Sequence, residues 1–462
     1  MDSQEIQHFL ITLAIIGTFL MIGTFLRAKV KLFQKLFLPA CVIGGLLALL
    51  LGPKVFGIIP FSDRVITTAS NLPGKLFSIV IATMPMCAVK RKKGEQARSF
   101  DAINIGIIIT LVAAIQVAIG FLVNVLFQNT SFATYAGFGA ELFMGFCGGH
   151  GVGAMVGALF ESQGAPYAQD ALGVAMTFAT IGMIGGILIG IFVLNKAARK
   201  GQTHYIADPA SLPDEMKTGL YHSVDEQPSA GRQTTAGGAI DTLGLHFGFI
   251  MMVVGVGYLI YFAITALEVP FLEDMDVWLY ALLSMYIIWP IVRKLGWDRH
   301  FDSEIKSKIS GAVTDFIVTA AIMSMPIEGV LEYWLPILIC AVLGFLVTVP
   351  MILILNKHYL HEDWLEKSMG PLGMMTGDFI TGVLLTRMAD PELKSNALPD
   401  FSIAYSINTV YCVVMLAVLY PFIVRFGAFN TLLFALAQVA VLAVVTIAFG
   451  SFSKRQQTKA AE

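Results

Sequence analysis

The chain has 462 residues, 56% of them apolar and only 13% charged, with a formal net charge of −2 and a mean hydropathy of +0.75. A soluble domain is about 45–50% apolar and about a quarter charged, so a soluble enzyme is excluded. The balanced charge offers no basic face for nucleic acid, and Cys41, Cys87, Cys147, Cys340 and Cys412 lie scattered in apolar stretches without disulfide or zinc spacing.

The N-terminus, MDSQEIQHFL, has no basic n-region and is read as leading into an uncleaved first span. Apolar runs follow at 8–26, 35–52, 74–89 and 102–127. The next segment, 136–161 (AGFGAELFMGFCGGHGVGAMVGALFE), is apolar but broken by glycine, and a further run covers 171–194. Residues 195–243 form one long polar interval with Pro209, Pro213 and Pro228, whose composition predicts a flexible linker. The second half repeats the layout, with runs at 244–267, 275–292, 308–327 and 333–355. A second broken segment, 366–389 (EKSMGPLGMMTGDFITGVLLTRMA), precedes runs at 402–424 and 428–450. Runs of this length predict membrane helices, eleven in all.

A glycine break at bilayer depth frees backbone groups that cost several kcal/mol if lipid surrounds them, so both broken segments are predicted to be re-entrant hairpins buried in protein. Gly-interrupted segments at corresponding positions of two halves point to a transporter built from internal repeats. The expected fold is an all-α polytopic membrane protein of two inverted-topology repeats. Residues 1–194 form the N-terminal repeat, 195–243 a cytoplasmic linker and 244–424 the C-terminal repeat; 425–462 add an extra span and a basic tail. With the N-terminus outside, 26 of the 30 Lys and Arg fall in the loops assigned to the cytoplasm, 27–35, 90–98, 195–243, 293–308, 356–367, 387–401 and the tail after 451. That asymmetry is a strong positive-inside signal and puts the C-terminus in the cytoplasm. The loop 267–276 is acidic, and Trp278, Trp289, Trp297, Trp334 and Trp364 sit at or just beyond span ends, as an interfacial belt requires.

In the first broken segment Gly148, Gly149, Gly151 and Gly153 surround His150. Such density lets backbone N–H and C=O groups turn toward a ligand, with helix-end partial charges beside them. Close helix packing is the alternative, and a lone histidine such as His150 more often bonds a backbone carbonyl than a ligand. No second His, Cys or carboxylate stands at metal-ligand spacing from it. In the second, Thr376, Asp378 and Thr381 cluster around Gly373, Gly377 and Gly382. An acid at that depth costs about 2.5–3.5 kcal/mol and calls for a cavity, a cation or a basic partner; Arg387 is one candidate counter-charge. Hydroxyls and carbonyls beside a carboxylate are the hard oxygen ligands small cations prefer. Asp315, near Thr314 and Ser310 in the run 308–327, is a second intramembrane acid, with a Lys308 ion pair as its alternative. Gln116 and Asn124 either line the same path or bond neighbouring helices. The chain lacks GxxxxGK[ST], HExxH and GxSxG, so an ATP-driven pump of that type, a metalloprotease and a Ser hydrolase are not indicated, and no catalytic residue is assigned.

This layout and the GGHGVG run, Gly148 to Gly153, resemble the bacterial sodium/glutamate symporters, whose halves each carry a re-entrant loop marked GGxGxG. The second loop keeps Gly373, Gly377 and Thr381 in register, with Met375 at a glycine position and Asp378 where a small residue is usual. The resemblance implies sodium-coupled uptake of glutamate or a related small amino-acid or carboxylate substrate across the bacterial inner membrane. It also implies a homodimer, alternating access, sodium as coupling ion and no other cofactor. Substrate is then expected at Gly148, Gly149, His150, Gly151, Gly153, Gly373, Gly377 and Thr381, and sodium at Thr314, Asp315, Thr376 and Asp378. A downhill uniporter or channel, a proton-coupled transporter of another substrate, and a non-transporting membrane sensor are the alternatives.

Overall fold

The computed structural model describes residues 3–36, 38–86, 99–205, 215, 218–221, 223–267, 269, 272, 277–325, 327–360, 362–390 and 394–461. The basic interval 90–98, Cys87 and most of the acidic loop 267–276 lie outside the described residues. Sixteen α-helices and no strand are present among the described residues. In the first half they are α1 Ser3–Lys29, α2 Lys31–Lys35, α3 Ala40–Leu51, α4 Asp63–Ala82, α5 Ser99–Phe127, α6 Ala140–Gly153, α7 Val156–Ser162 and α8 Ala168–Arg199. In the second they are α9 Thr242–Ala266, α10 Val277–Lys294, α11 Ser303–Ser324, α12 Ile327–Glu332, α13 Trp334–Tyr359, α14 Glu366–Met374, α15 Phe379–Ala389 and α16 Ala397–Ala461.

Eight of these helices are long and apolar enough to cross a membrane, against the eleven runs expected. The difference has three sources. Helix α3 has only 12 residues, about 18 Å at 1.5 Å per residue, short of a core about 30 Å thick. Helix α11 is long enough but carries Glu304, Lys306, Lys308 and Asp315. The last two runs share one helical stretch, α16, interrupted only at Gly427 (φ 74°, ψ 176°). That interruption is a sharp turn, because Tyr411 donates to Gln438 Oε1 at 2.8 Å and the rings of Phe422 and Phe434 stack with centroids 4.8 Å apart. The run expected at 74–89 begins earlier, at Asp63, where the Ser62 side chain caps the helix by accepting from Val65 N–H.

Helices α1 and α3 cross at Gly23 and Gly44, where a Cβ on either glycine would strike the backbone of the other helix. Such close backbone approach is what small residues provide where lipid supplies no hydrophobic drive. Helix α3 also packs on α11, α4 on α10 and α11, α1 on α11, α9 on α4, and α5 on α13. The first arm of α16 lies along α5, with Ile407 over Gly106. Its second arm returns to Phe100, whose ring faces Phe449 and Phe452. One continuous core runs through α3, α4, α5, α6, α8, α14, α15 and α16. Large apolar side chains such as Leu259 and Phe262 on α9 stand exposed, as lipid-facing positions do.

Candidate functional site

The first broken segment consists of α6 and α7, bent by 92° at their junction. The backbone leaves helical geometry at Gly149 (φ 59°, ψ −159°), a left-handed position that favours glycine. Its approach is fixed by Asn124 in α5, whose amide donates to the carbonyls of Tyr135 (3.2 Å), Ala136 (3.1 Å) and Phe138 (2.7 Å). Glu141, fully buried in the first turn of α6, accepts from Gly139 N–H at 2.6 Å and the Tyr135 hydroxyl at 2.9 Å. An acid near a helix N-terminus is favoured by the dipole, and both contacts offset its burial.

The second broken segment consists of α14 and α15, separated by residues 375–378. The two helices pack face to face, with the place of a Cβ on Gly373 2.6 Å from the Thr381 carbonyl and 2.8 Å from Gly382. Asp378, extended at φ −162°, caps α15: its Oδ1 accepts from Thr381 N–H at 2.7 Å and from the Thr381 hydroxyl at 2.8 Å. The carbonyl of Met375, freed by the break, accepts from Gln116 Nε2 at 2.7 Å, and the same nitrogen donates to Thr348 Oγ1 at 3.0 Å.

The two breaks touch. A Cβ on Gly149 would lie 2.7 Å from the Gly377 carbonyl and 2.9 Å from Asp378 Cβ. Beside this junction lies a cavity of about 450 Å³ lined by Arg27, Glu215, Asp315, Asp378, Thr381 and Arg387 along with apolar residues. It therefore holds carboxylates and guanidinium groups together, with the Asp315 residue exposed toward it. Neither a Lys308–Asp315 nor an Asp378–Arg387 ion pair forms among the described residues.

The expected site residues divide. Gly149, Gly377, Asp315, Asp378 and Thr381 meet at the junction or line the cavity. Gly151 does not make the close approach; only the Thr314 methyl stands near the place of its Cβ, at 3.3 Å. Gly148 is filled against Val152, Gly153 lies over Ala175, and Gly373 packs within its own segment. His150 is buried against α8 at 3.0 Å from Thr180 Oγ1, which itself donates to Met176 O, so the imidazole is the donor in that pair. Thr376 is fully buried, its hydroxyl donating to Leu372 O at 2.8 Å and sealed by Gly182 and Gly186 of α8. Thr314 likewise bonds back to Ser310 O at 2.8 Å. Gln116, Asn124 and Glu141 emerge as the groups that hold the breaks. A polar side chain inside an otherwise apolar run was their only signal in the sequence, and it does not say which backbone atom is met.

The sodium/glutamate symporter family model matches residues 6–362, most of the chain, ending just before the second broken segment. No curated protein matches the chain. Several helices able to cross a membrane, a glycine-broken segment inside the matched range and this match agree: the chain belongs to the sodium/glutamate symporter family, and is a multi-pass membrane transporter, not an enzyme.

Proposed function

We propose that the protein is a sodium-coupled symporter importing glutamate or a related small carboxylate by alternating access, with substrate held where the two broken segments meet. The observation that carries this is the contact of Gly149 with Gly377 and Asp378 at the head of a cavity lined by Asp315, Arg27 and Arg387. The guanidinium groups are suited to substrate carboxylates. Asp315, Asp378 and Thr381 offer the hard oxygens a sodium ion prefers. Loading both partners together lowers the net charge carried across the low-dielectric core, which couples one flux to the other.

The reading includes two inverted repeats, 1–194 and 244–424, each with a re-entrant hairpin, joined by a cytoplasmic linker at 195–243. The packing supports it: α3 on α11 mirrors α4 on α10, and α1 on α11 mirrors α9 on α4. It also includes a homodimer in the bacterial inner membrane, N-terminus outside and C-terminus cytoplasmic; the second arm of α16 ends beside Tyr359 and His358, at the end of α13 that carries the basic residue Lys357.

Reconstituted vesicles loaded with an outward-in sodium gradient, a proton gradient or none test the proposal. Uphill accumulation of labelled glutamate or aspartate under sodium alone is expected. Equilibration without accumulation identifies a uniporter, and accumulation under protons alone identifies a different coupling ion.

A further inference from the structure

The connection between the halves is not merely a spacer at its near end. Five residues beyond α8, His204 reaches the turn between α13 and α14. Its Nδ1 lies 2.8 Å from Asp363 Oδ1, and its backbone N–H donates to Glu366 Oε1 at 2.8 Å. The Tyr205 hydroxyl steadies the other Asp363 oxygen at 3.3 Å. One ligand atom from each of His204, Asp363 and Glu366 lies within 4.8 Å of the others. Ligand atoms of a tetrahedral ion bound at about 2.1 Å stand roughly 3.4 Å apart, so side-chain adjustments of about an ångström bring all three onto a single cation.

A second observation is independent of this spacing. Glu366 is 1% exposed, and among the described residues its Oε2 is buried without a hydrogen-bond partner. A buried carboxylate oxygen left bare is costly, and a cation satisfies it. The neighbouring Lys367 is turned the other way, held by Asp101 at 2.7 Å and Asp400 at 3.1 Å. We propose that His204, Asp363 and Glu366 form a divalent-cation site that pins the connection between the halves to the start of the second broken segment. Imidazole with two carboxylates suits zinc and leaves a fourth position for water. Because Glu366 opens α14, a cation here restrains the helix that leads to the Gly377–Asp378 break.

The test needs no transport activity. The full chain, purified in nanodiscs and stripped with chelator, is titrated with zinc, and cobalt(II) is added separately for its visible absorption. One zinc per chain is expected, with affinity reduced at least 10-fold in H204A and in E366Q, and a cobalt spectrum that both variants lose. The His204 side chain is 63% exposed, so H204A keeps the fold even if E366Q does not. Equal zinc affinity in wild type and H204A, or no zinc bound by folded wild type, overturns the proposal and leaves only a His204–Asp363 ion pair.

Discussion

The two broken segments solve one problem by different means. The first makes its break with glycine: Gly149 adopts a left-handed φ, and the charged residue nearby, Glu141, is buried and fully engaged at the start of α6, away from the cavity. The second breaks at an extended aspartate, Asp378, which caps α15 and faces the cavity. One segment thus contributes a bare backbone and the other a charge. Their contact puts both at one point, the combination that the proposed co-transport of a carboxylate with a cation would use.

The largest expected effect is at the bare backbone. Gly149→Val combines a β-branched residue at positive φ, a strain of about 1–2 kcal/mol, with a Cβ only 2.7 Å from the Gly377 carbonyl. Uptake should fall to background, whereas Gly151→Ala, which meets only the Thr314 methyl at 3.3 Å, should retain transport. Equal activity of the two variants would remove Gly149 from the junction.

The charged side is separable in two steps. Asp378→Asn keeps a good N-cap while Asp378→Ala loses one, at a cost of about 0.5–2 kcal/mol. Loss of sodium-driven uptake in both, with a lowered melting temperature only in the alanine variant, is expected. If the asparagine variant transports normally, Asp378 is a helix cap alone. Asp315→Asn should abolish sodium dependence with little change in thermal stability, because its side chain makes no ion pair among the described residues and the Cys41 thiol beside it can donate equally to an amide oxygen.

A smaller effect is expected at the supports. Gln116→Leu leaves the Met375 carbonyl unpaired, at about 1–3 kcal/mol, and should lower the melting temperature more than the apparent sodium affinity. The smallest lies outside the membrane, where Arg232 donates to Asp302 at 2.8 Å and holds its carboxyl below the ordinary aspartate range, helped by the N–H groups of Glu304 and Ile305. A depressed folded value means this stabilisation is complete above about pH 4 and is lost as pH falls further. Arg232→Ala should therefore lower stability slightly at pH 7, as expected of a largely exposed pair, and leave it unchanged near pH 2, which flattens the acid limb of a stability–pH curve.

Apolar run length and composition sufficed to identify membrane helices, their order and the two glycine-broken segments, because the cost of an exposed backbone in lipid is written locally. The same local signal could not count spans well: α3 is too short, α11 too charged, and Gly427 turns one helical stretch back on itself. Which glycine makes the close approach was equally hidden, since four of them stand within six residues and only Gly149 meets the other segment. Residue identity fixed what each break has to offer; the approach of Gly149 to Asp378, the sealing of Thr376 by Gly182 and Gly186 and the turning of His150 toward Thr180 depended on residues far away in sequence. Backbone freedom and charge are properties of single positions, whereas contact is a property of pairs, and only the packed helices decide which pairs exist.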